Sequence, residues 1–271
     1  MNKLIEIIKY IIIGIIQGVT EILPISSSGH LLITYSLLNI NNENQLDLTI
    51  FLHFASCLAL LIYFKKIILN LIQGTYKYVI KKDMNRKEDF ILMFYLFTAS
   101  IPVAIVGIVF KDYIDQIFNN PKWLFFFFLF TAVILLLFDK LKKFNSPYNF
   151  KNTFSIGLMQ CICLLPGISR SGITMFFSRL FKLEESKGKT FSFLVLIPIS
   201  LGSFILSFID MIKNISIKFS FLPLYIISMI TAFVFSLLSL KIIFERLKNF
   251  KYSIFSLYLI TLSIFILFFY F

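Results

Sequence analysis

Residues 14–29 read GIIQGVTEILPISSSG, and residues 157–172 read GLMQCICLLPGISRSG. Both stretches carry the same polar pattern inside hydrophobic sequence. Aligned without gaps, Gly14, Gln17, Ile25, Ser26, Ser28 and Gly29 meet Gly157, Gln160, Ile168, Ser169, Ser171 and Gly172. Polar, Gly/Pro-interrupted segments at corresponding places in two halves of a membrane chain point to a binding site between repeats of inverted topology. The copies differ where chemistry would need them to. Glu21 stands opposite Leu164, and Ser27 opposite Arg170. A site built from both would draw its acid from one copy and its guanidinium from the other.

The sequence around these stretches is that of a polytopic membrane protein. Of 271 residues, 58% are hydrophobic and 15% charged, against roughly 45–50% and about 25% in soluble domains. Mean hydropathy is +0.88. The net charge of +12 does not indicate nucleic acid. The basic residues lie in short loops, where Lys/Arg excess sets orientation and meets anionic lipid. Three cysteines, Cys57, Cys161 and Cys163, all in apolar stretches, argue against a disulfide framework. Two histidines, His30 and His53, exclude a His-rich metal site. The start of the chain mimics a signal peptide, but Gln17 and Glu21 interrupt its apolar run and no small-residue cleavage site follows.

Six segments are long and apolar enough to cross a bilayer: 48–64, 90–110, 123–138, 191–209, 221–240 and 253–271. The interrupted segments, 5–38 and 154–181, read as re-entrant helical hairpins, because broken backbone at membrane depth is tolerated where protein buries it or water lines it. Each half, 1–138 and 139–271, is then one hairpin plus three crossings within a single membrane domain. A hairpin returns to its own side and three is odd, so the halves have inverted topology. Lysines and arginines in 65–89, 139–151 and 241–251 mark the cytoplasmic side. The less basic connections 111–122 and 210–220 then fall outside, as do both termini. The first hairpin dips in from the outer face and the second from the inner.

Gly14, Gln17, Gly18 and Glu21 follow i, i+3, i+4, i+7 and share one helix face. Glycines there suit helix packing. Glu21 does not, since a carboxylate near the bilayer centre costs about 3 kcal/mol on insertion scales and marks a functional site. Pro24 biases Leu23 away from helix. Ser26, Ser27, Ser28 and Gly29 then offer hydroxyls and a cap for a second helix starting near His30, and a capped helix start is an anion site. Pro166-Gly167, Ser169, Arg170, Ser171, Gly172 and Thr174 repeat the arrangement, with Arg170 adding a fork that matches phosphate oxygens. His30 stands beside the serines and suits proton transfer. His53, inside a crossing with no nearby motif, reads as a hydrogen-bonded core histidine. Glu43 and Asp47 fall in a polar loop, as solvated groups or an entrance guard. The matching substrate is a phosphate carried by a lipid, and an acid beside phosphate oxygens suits a hard divalent cation, Mg²⁺ or Ca²⁺.

Gln17-x-x-x-Glu21, the run from Pro24 to His30 and the run from Pro166 to Thr174 resemble the signature motifs of the bacitracin-resistance (BacA/UppP) family of bacterial undecaprenyl-diphosphate phosphatases. The resemblance extends over the whole chain in length, span number and motif spacing. It implies a multi-pass enzyme of the bacterial inner membrane that hydrolyses undecaprenyl diphosphate to undecaprenyl phosphate and inorganic phosphate at the outer (periplasmic) face, recycling the carrier for cell-wall glycan synthesis. It also implies inverted repeats with two re-entrant hairpins, divalent-metal dependence and homodimers. The residues themselves offer a catalytic set: Glu21 as acid or base, His30 as imidazole, Arg170 as clamp, and either the Ser27 hydroxyl or water as the nucleophile. Gln17, Ser26, Ser28, Gly29, Ser169, Ser171, Gly172 and Thr174 would bind phosphate. The family has Glu or Gln at the position of Gln17; with Gln here, Glu21 carries the acidic role and the metal contact alone. Two other readings stand beside this one. Ser28-Gly29-His30 also echoes the type 2 phosphatidic acid phosphatases, but no Asp is paired with the second histidine. A lipid-phosphate transporter or flippase of inverted-repeat type would share the architecture.

Overall fold

The computed structural model describes residues 3–40, 42–118, 120–142, 145–213, 221–246 and 251–270. The described residues are helical, with no strand beyond one isolated bridge between Ser146 and Leu183. The first interrupted segment is α1 (Lys3–Thr20), a turn, and α2 (Ser27–Leu38). The second is α8 (Phe150–Met159), a 3₁₀ turn over Gln160–Leu164, and α9 (Arg170–Leu180). Between them run α3 (Asn42–Tyr63), α4 (Lys65–Lys81), α5 (Lys87–Val109), α6 (Lys111–Phe118) and α7 (Trp123–Lys140). After them come α10 (Glu185–Leu194), α11 (Leu196–Lys213), α12 (Leu222–Lys241) and α13 (Ser253–Tyr270).

Among the described residues, four helical stretches are long and apolar enough to cross a membrane: Met84–Val109, Trp123–Lys140, Glu185–Ile209 and Leu222–Glu245. Asp47–Tyr63 and Lys65–Lys81, bent from one another by 74°, pass the same test only when taken together, and Ser253–Phe268 is a shorter apolar helix. This is the architecture of a multi-pass membrane protein. On α5 the outward face holds Phe97, Ile101 and Ile105, while Ala99, Ser100 and Val103 turn inward.

Three expectations change. The segment 65–89, read as a loop, is mostly α4, bent 74° from α3. Its Leu71 and Gly74 are buried, Gly74 against Asp89, and Arg86 bridges Asp89 at 3.2 Å and Asn70 at 3.3 Å. Its lysines hid an amphipathic helix that packs by one narrow stripe. Asp47, assigned to a loop, lies inside α3, whose backbone also includes Glu43; the Glu43 side chain lies outside the described residues. The crossing 191–209 is two helices parted at Val195. Pro198 explains the break, since it brings no N–H to the turn before it. The connection 111–122 holds the short α6, and much of 210–220 lies outside the described residues.

Helix contacts put the two hairpins at the centre. α1 packs on α12, and α8 packs on α5. α7 and α13 pair with one another. Phe128 and Leu259 join α2 residue Ile33 in one core cluster, and Phe138 joins α9 residues Ile173 and Phe176 in another. Small residues permit the closest crossings. A Cβ on Gly14 would stand 2.5 Å from the Ser228 carbonyl oxygen, and one on Gly157 2.4 Å from that of Ala99. Gly14→Val is therefore expected to force α1 off α12 and cost about 1–3 kcal/mol, lowering the melting midpoint in detergent. Gly202→Ala, with nothing within 4 Å, should leave it unchanged. Equal midpoints for the two variants would count against the tight crossing.

Candidate active site

The first hairpin turns where the sequence stops supplying helix hydrogen bonds. Glu21 N–H still donates to Gln17 O (3.0 Å) and Leu23 N–H to Val19 O (3.2 Å). Pro24 has no N–H to continue. Ser26 then takes φ 69°, uncommon for a residue with a Cβ. Its hydroxyl oxygen compensates by accepting from Gly29 N–H at 3.5 Å and, across the molecule, from Gly167 N–H at 3.0 Å. The second tip repeats this. Ser169 Oγ accepts from Gly172 N–H at 3.2 Å, and Gly167 takes φ 97°. Thr131 of α7 donates to Gly167 O (2.9 Å) and accepts from Ser169 N–H (3.2 Å). Ser171 Oγ donates to Leu23 O at 3.4 Å. The two tips therefore touch, with Ser26 of the first bonded to Gly167 of the second and Ser171 of the second bonded to Leu23 of the first.

Where they meet lies a cavity of about 810 Å³. Glu21, Ser26, Ser27, Ser28, Ser169, Arg170 and Ser171 line its polar end. Ser27 Oγ donates to Glu21 Oε2. Gln17 Nε2 donates to the same oxygen at 3.2 Å and to Ser56 Oγ at 3.3 Å. Arg170 Nη1 is buried with no partner among the described residues, as are Gln17 Oε1 and both Gln160 amide atoms; a stranded guanidinium nitrogen is costly, and a phosphate oxygen is an acceptor that suits it. Away from this end the walls are apolar, with Val103, Ala104 and Ile108 of α5 facing Phe204, Leu206 and Ile209 of α11. Lys111 and Asp115 of α6 also line it.

Five of the expected site residues do not line the cavity. Gln17 is fully buried and reaches it only through Glu21. Gly29 and Gly172 pack against Phe128 and Leu135, their N–H groups spent on the caps. Thr174 Oγ1 donates to Arg170 O at 2.9 Å within its own helix. His30 stands behind the serines: Nδ1 donates to Ser26 O at 2.7 Å, and Nε2 meets Tyr258 Oη at 2.7 Å. Its ring stacks on Tyr258 and sits edge-on to Phe128. Both nitrogens are engaged in shaping the turn.

His53 is the residue the sequence reading misplaced. Expected in the core, it lines the cavity with Nδ1 3.1 Å from Glu21 Oε2. One signal was available: His53 and Ser56 stand three apart on α3 and share a face, with Asp47 and Thr49 set nearer the start of the helix. A second cluster carried no sequence signal. Arg179 pairs with Glu185 at 2.9 Å, donates to Phe138 O at 3.0 Å and lies over the Phe138 ring at 4.0 Å. It fixes the end of α9 as a paired buried charge, away from the cavity.

For a divalent cation the donor set is thin. No group of three or more His, Cys, Asp or Glu converges among the described residues. Glu21 and Asp115 are the acids that line the cavity among the described residues, and they lie on different elements. One carboxylate beside phosphate oxygens still fits Mg²⁺, which is often held by one or two carboxylates and substrate phosphates.

The profile of the family described as bacitracin resistance protein BacA matches residues 10–265. The chain is 40% identical over 259 residues to an undecaprenyl-diphosphatase of Thermosipho melanesiensis, covering 94% of this chain and 96% of that protein. It is 37% identical over 273 residues to an undecaprenyl-diphosphatase of Acholeplasma laidlawii, covering 97% of each. Undecaprenyl-diphosphatase 2 of Bacillus thuringiensis is 35% identical over 266 residues, 97% of this chain and 98% of that one.

Proposed function

The chain belongs to the bacitracin resistance protein BacA family, and from that premise we infer that it hydrolyses undecaprenyl diphosphate to undecaprenyl phosphate and inorganic phosphate. The observation that carries the reading is one cavity with two opposed groups. A serine hydroxyl rests on a carboxylate, Ser27 on Glu21, while Arg170 lines the same space and its Nη1 has no protein acceptor among the described residues. The apolar walls of α5 and α11 suit an isoprenoid tail. The relatives' names do not favour the transporter reading.

In this scheme Glu21 takes the Ser27 proton as the hydroxyl oxygen attacks the terminal phosphorus. The bond to the bridging oxygen breaks, and undecaprenyl phosphate leaves. Water then cleaves the phosphoserine, with Glu21 returning the proton to Ser27. Arg170 holds the phosphoryl oxygens by its planar fork, and Ser26, Ser28, Ser169 and Ser171 position them. His30 supports Ser26 from behind. A divalent cation, Mg²⁺ or Ca²⁺, held by Glu21 and the diphosphate, supplies charge neutralisation when bound.

Inverted repeats over 1–138 and 139–271 are part of the same reading. Exchanging halves maps α1 on α12 to α8 on α5, and α3 on α12 to α11 on α5. It also maps the Gly14 crossing to that of Gly157. These exchanges, with the parity of crossings, support hairpins entering from opposite faces. The basic segments assigned to the cytoplasmic side, and the lining of the cavity by α6 from the less basic connection 111–122, support an outward-opening site in the bacterial inner membrane. The apolar helix faces left exposed serve lipid and a second copy in a homodimer; crosslinking in native membranes tests that assembly.

Phosphate release by the purified protein from undecaprenyl diphosphate, with and without chelator, tests the function. Release that a chelator suppresses and Mg²⁺ or Ca²⁺ restores is expected. Absence of any release under either condition would overturn the assignment.

A further inference from the structure

Glu21 has a partner that plays no part in the proton transfer to and from Ser27. His53 approaches the carboxylate from α3, with Nδ1 3.1 Å from Glu21 Oε2. Its side chain is 28% exposed against 7% for Glu21, and that exposed edge faces the cavity it lines. One side of the imidazole is on the carboxylate and another borders the substrate space. We propose that His53 is a positioning residue for the hydrolysis, holding the Glu21 carboxylate turned toward Ser27. The proposal rests on the reading of this cavity as a phosphatase site.

A count of donors supports it. Gln17 Nε2 has two N–H groups and three neighbours: Glu21 Oε2 at 3.2 Å, Ser56 Oγ at 3.3 Å and His53 Nδ1 at 3.3 Å. A proton on Nδ1 resolves the excess. His53 then donates to Glu21, and the two Gln17 N–H groups go to Glu21 and Ser56. Ser236 Oγ donates to Ser56 Oγ at 3.0 Å, so the chain of bonds runs from the carboxylate through α1 and α3 to α12. Ser27 also bonds Oε2, but Ser27 is the group that must move during the reaction. His53 and Gln17 are what keep the carboxylate in place when it does.

A carboxylate that loses its alignment by about 1 Å costs on the order of 100-fold in rate. His53→Ala should therefore lower kcat for undecaprenyl diphosphate by roughly 30–100-fold, with KM changed little, because the phosphate contacts of Arg170 and the serines remain. His53→Gln can still put an amide N–H on the carboxylate and should recover most of the loss. Because the effect passes through Glu21, His53→Ala added to Glu21→Gln should lower single-turnover rates little further. Melting midpoints in detergent would show that each variant is folded, and His53→Gln keeps the question answerable if the alanine variant is not. Wild-type kcat in His53→Ala would overturn the proposal. So would an undiminished loss on the Glu21→Gln background, or a glutamine variant as impaired as the alanine one, which would require imidazole chemistry itself. Failure of the unaltered protein to release phosphate would instead overturn the functional reading and leave the His53–Glu21 contact without this role.

Discussion

Glu21→Gln is expected to lower phosphate release from undecaprenyl diphosphate by roughly a thousandfold, within the range general-base groups supply, while the protein still folds. The carboxylate is the acceptor for the Ser27 hydroxyl, and an amide oxygen is far too weak a base to take that proton. Folding should survive because two effects oppose one another. The substitution weakens charge-assisted bonds from Gln17 and His53. It also removes a buried charge whose insertion costs about 3 kcal/mol. Initial rates give the first quantity and the melting midpoint in detergent the second. Near-normal turnover by the folded variant would remove Glu21 from the chemistry and leave Ser27 without a base.

Arg170→Lys should lose roughly 10–100-fold in activity although the charge is kept. Phosphoryl transfer depends on positioning and on electrostatic stabilisation more than on covalent help from the protein. A guanidinium can grip two phosphoryl oxygens at once, whereas an ammonium acts as a point charge. The arginine stands at the first turn of α9, where N–H groups already favour an anion. Its buried Nη1 has no protein partner among the described residues, so that arm of the fork is not committed to a protein acceptor. KM and kcat should both deteriorate, measured on the same preparation as the Glu21 variant. Full activity in the lysine variant would show that charge alone suffices.

The chain announced its two helix breaks through local chemistry. Pro24 and Pro166 remove N–H groups, Ser26 and Ser169 cap the second helix of each hairpin, and these effects act over a few residues. Apolar runs of near-spanning length gave the crossings for the same reason, and α5, α7 and α12 stand where the runs do. The family resemblance rested on those short motifs, and the match over residues 10–265 agrees with it. Periodicity also put Gly14, Gln17, Gly18 and Glu21 on one helix face, and α1 carries the first three, with Glu21 just past its end.

What that face meets was not written locally. The glycines went to α12, while Gln17 and Glu21 turned to α3 and the cavity. The two histidines exchanged places for the same reason. His30, beside the motif, found Tyr258, 228 positions away, and became a support. His53, with no motif, found Glu21 across the junction of α1 and α3. The meeting of the tips rests on Ser26 with Gly167, 141 positions apart. A sequence determines which faces are polar, where helices must stop and which groups cannot be left in lipid. Which polar face satisfies which is decided only when helices far apart in the chain pack side by side, because a buried donor is satisfied by whatever acceptor the fold brings to it.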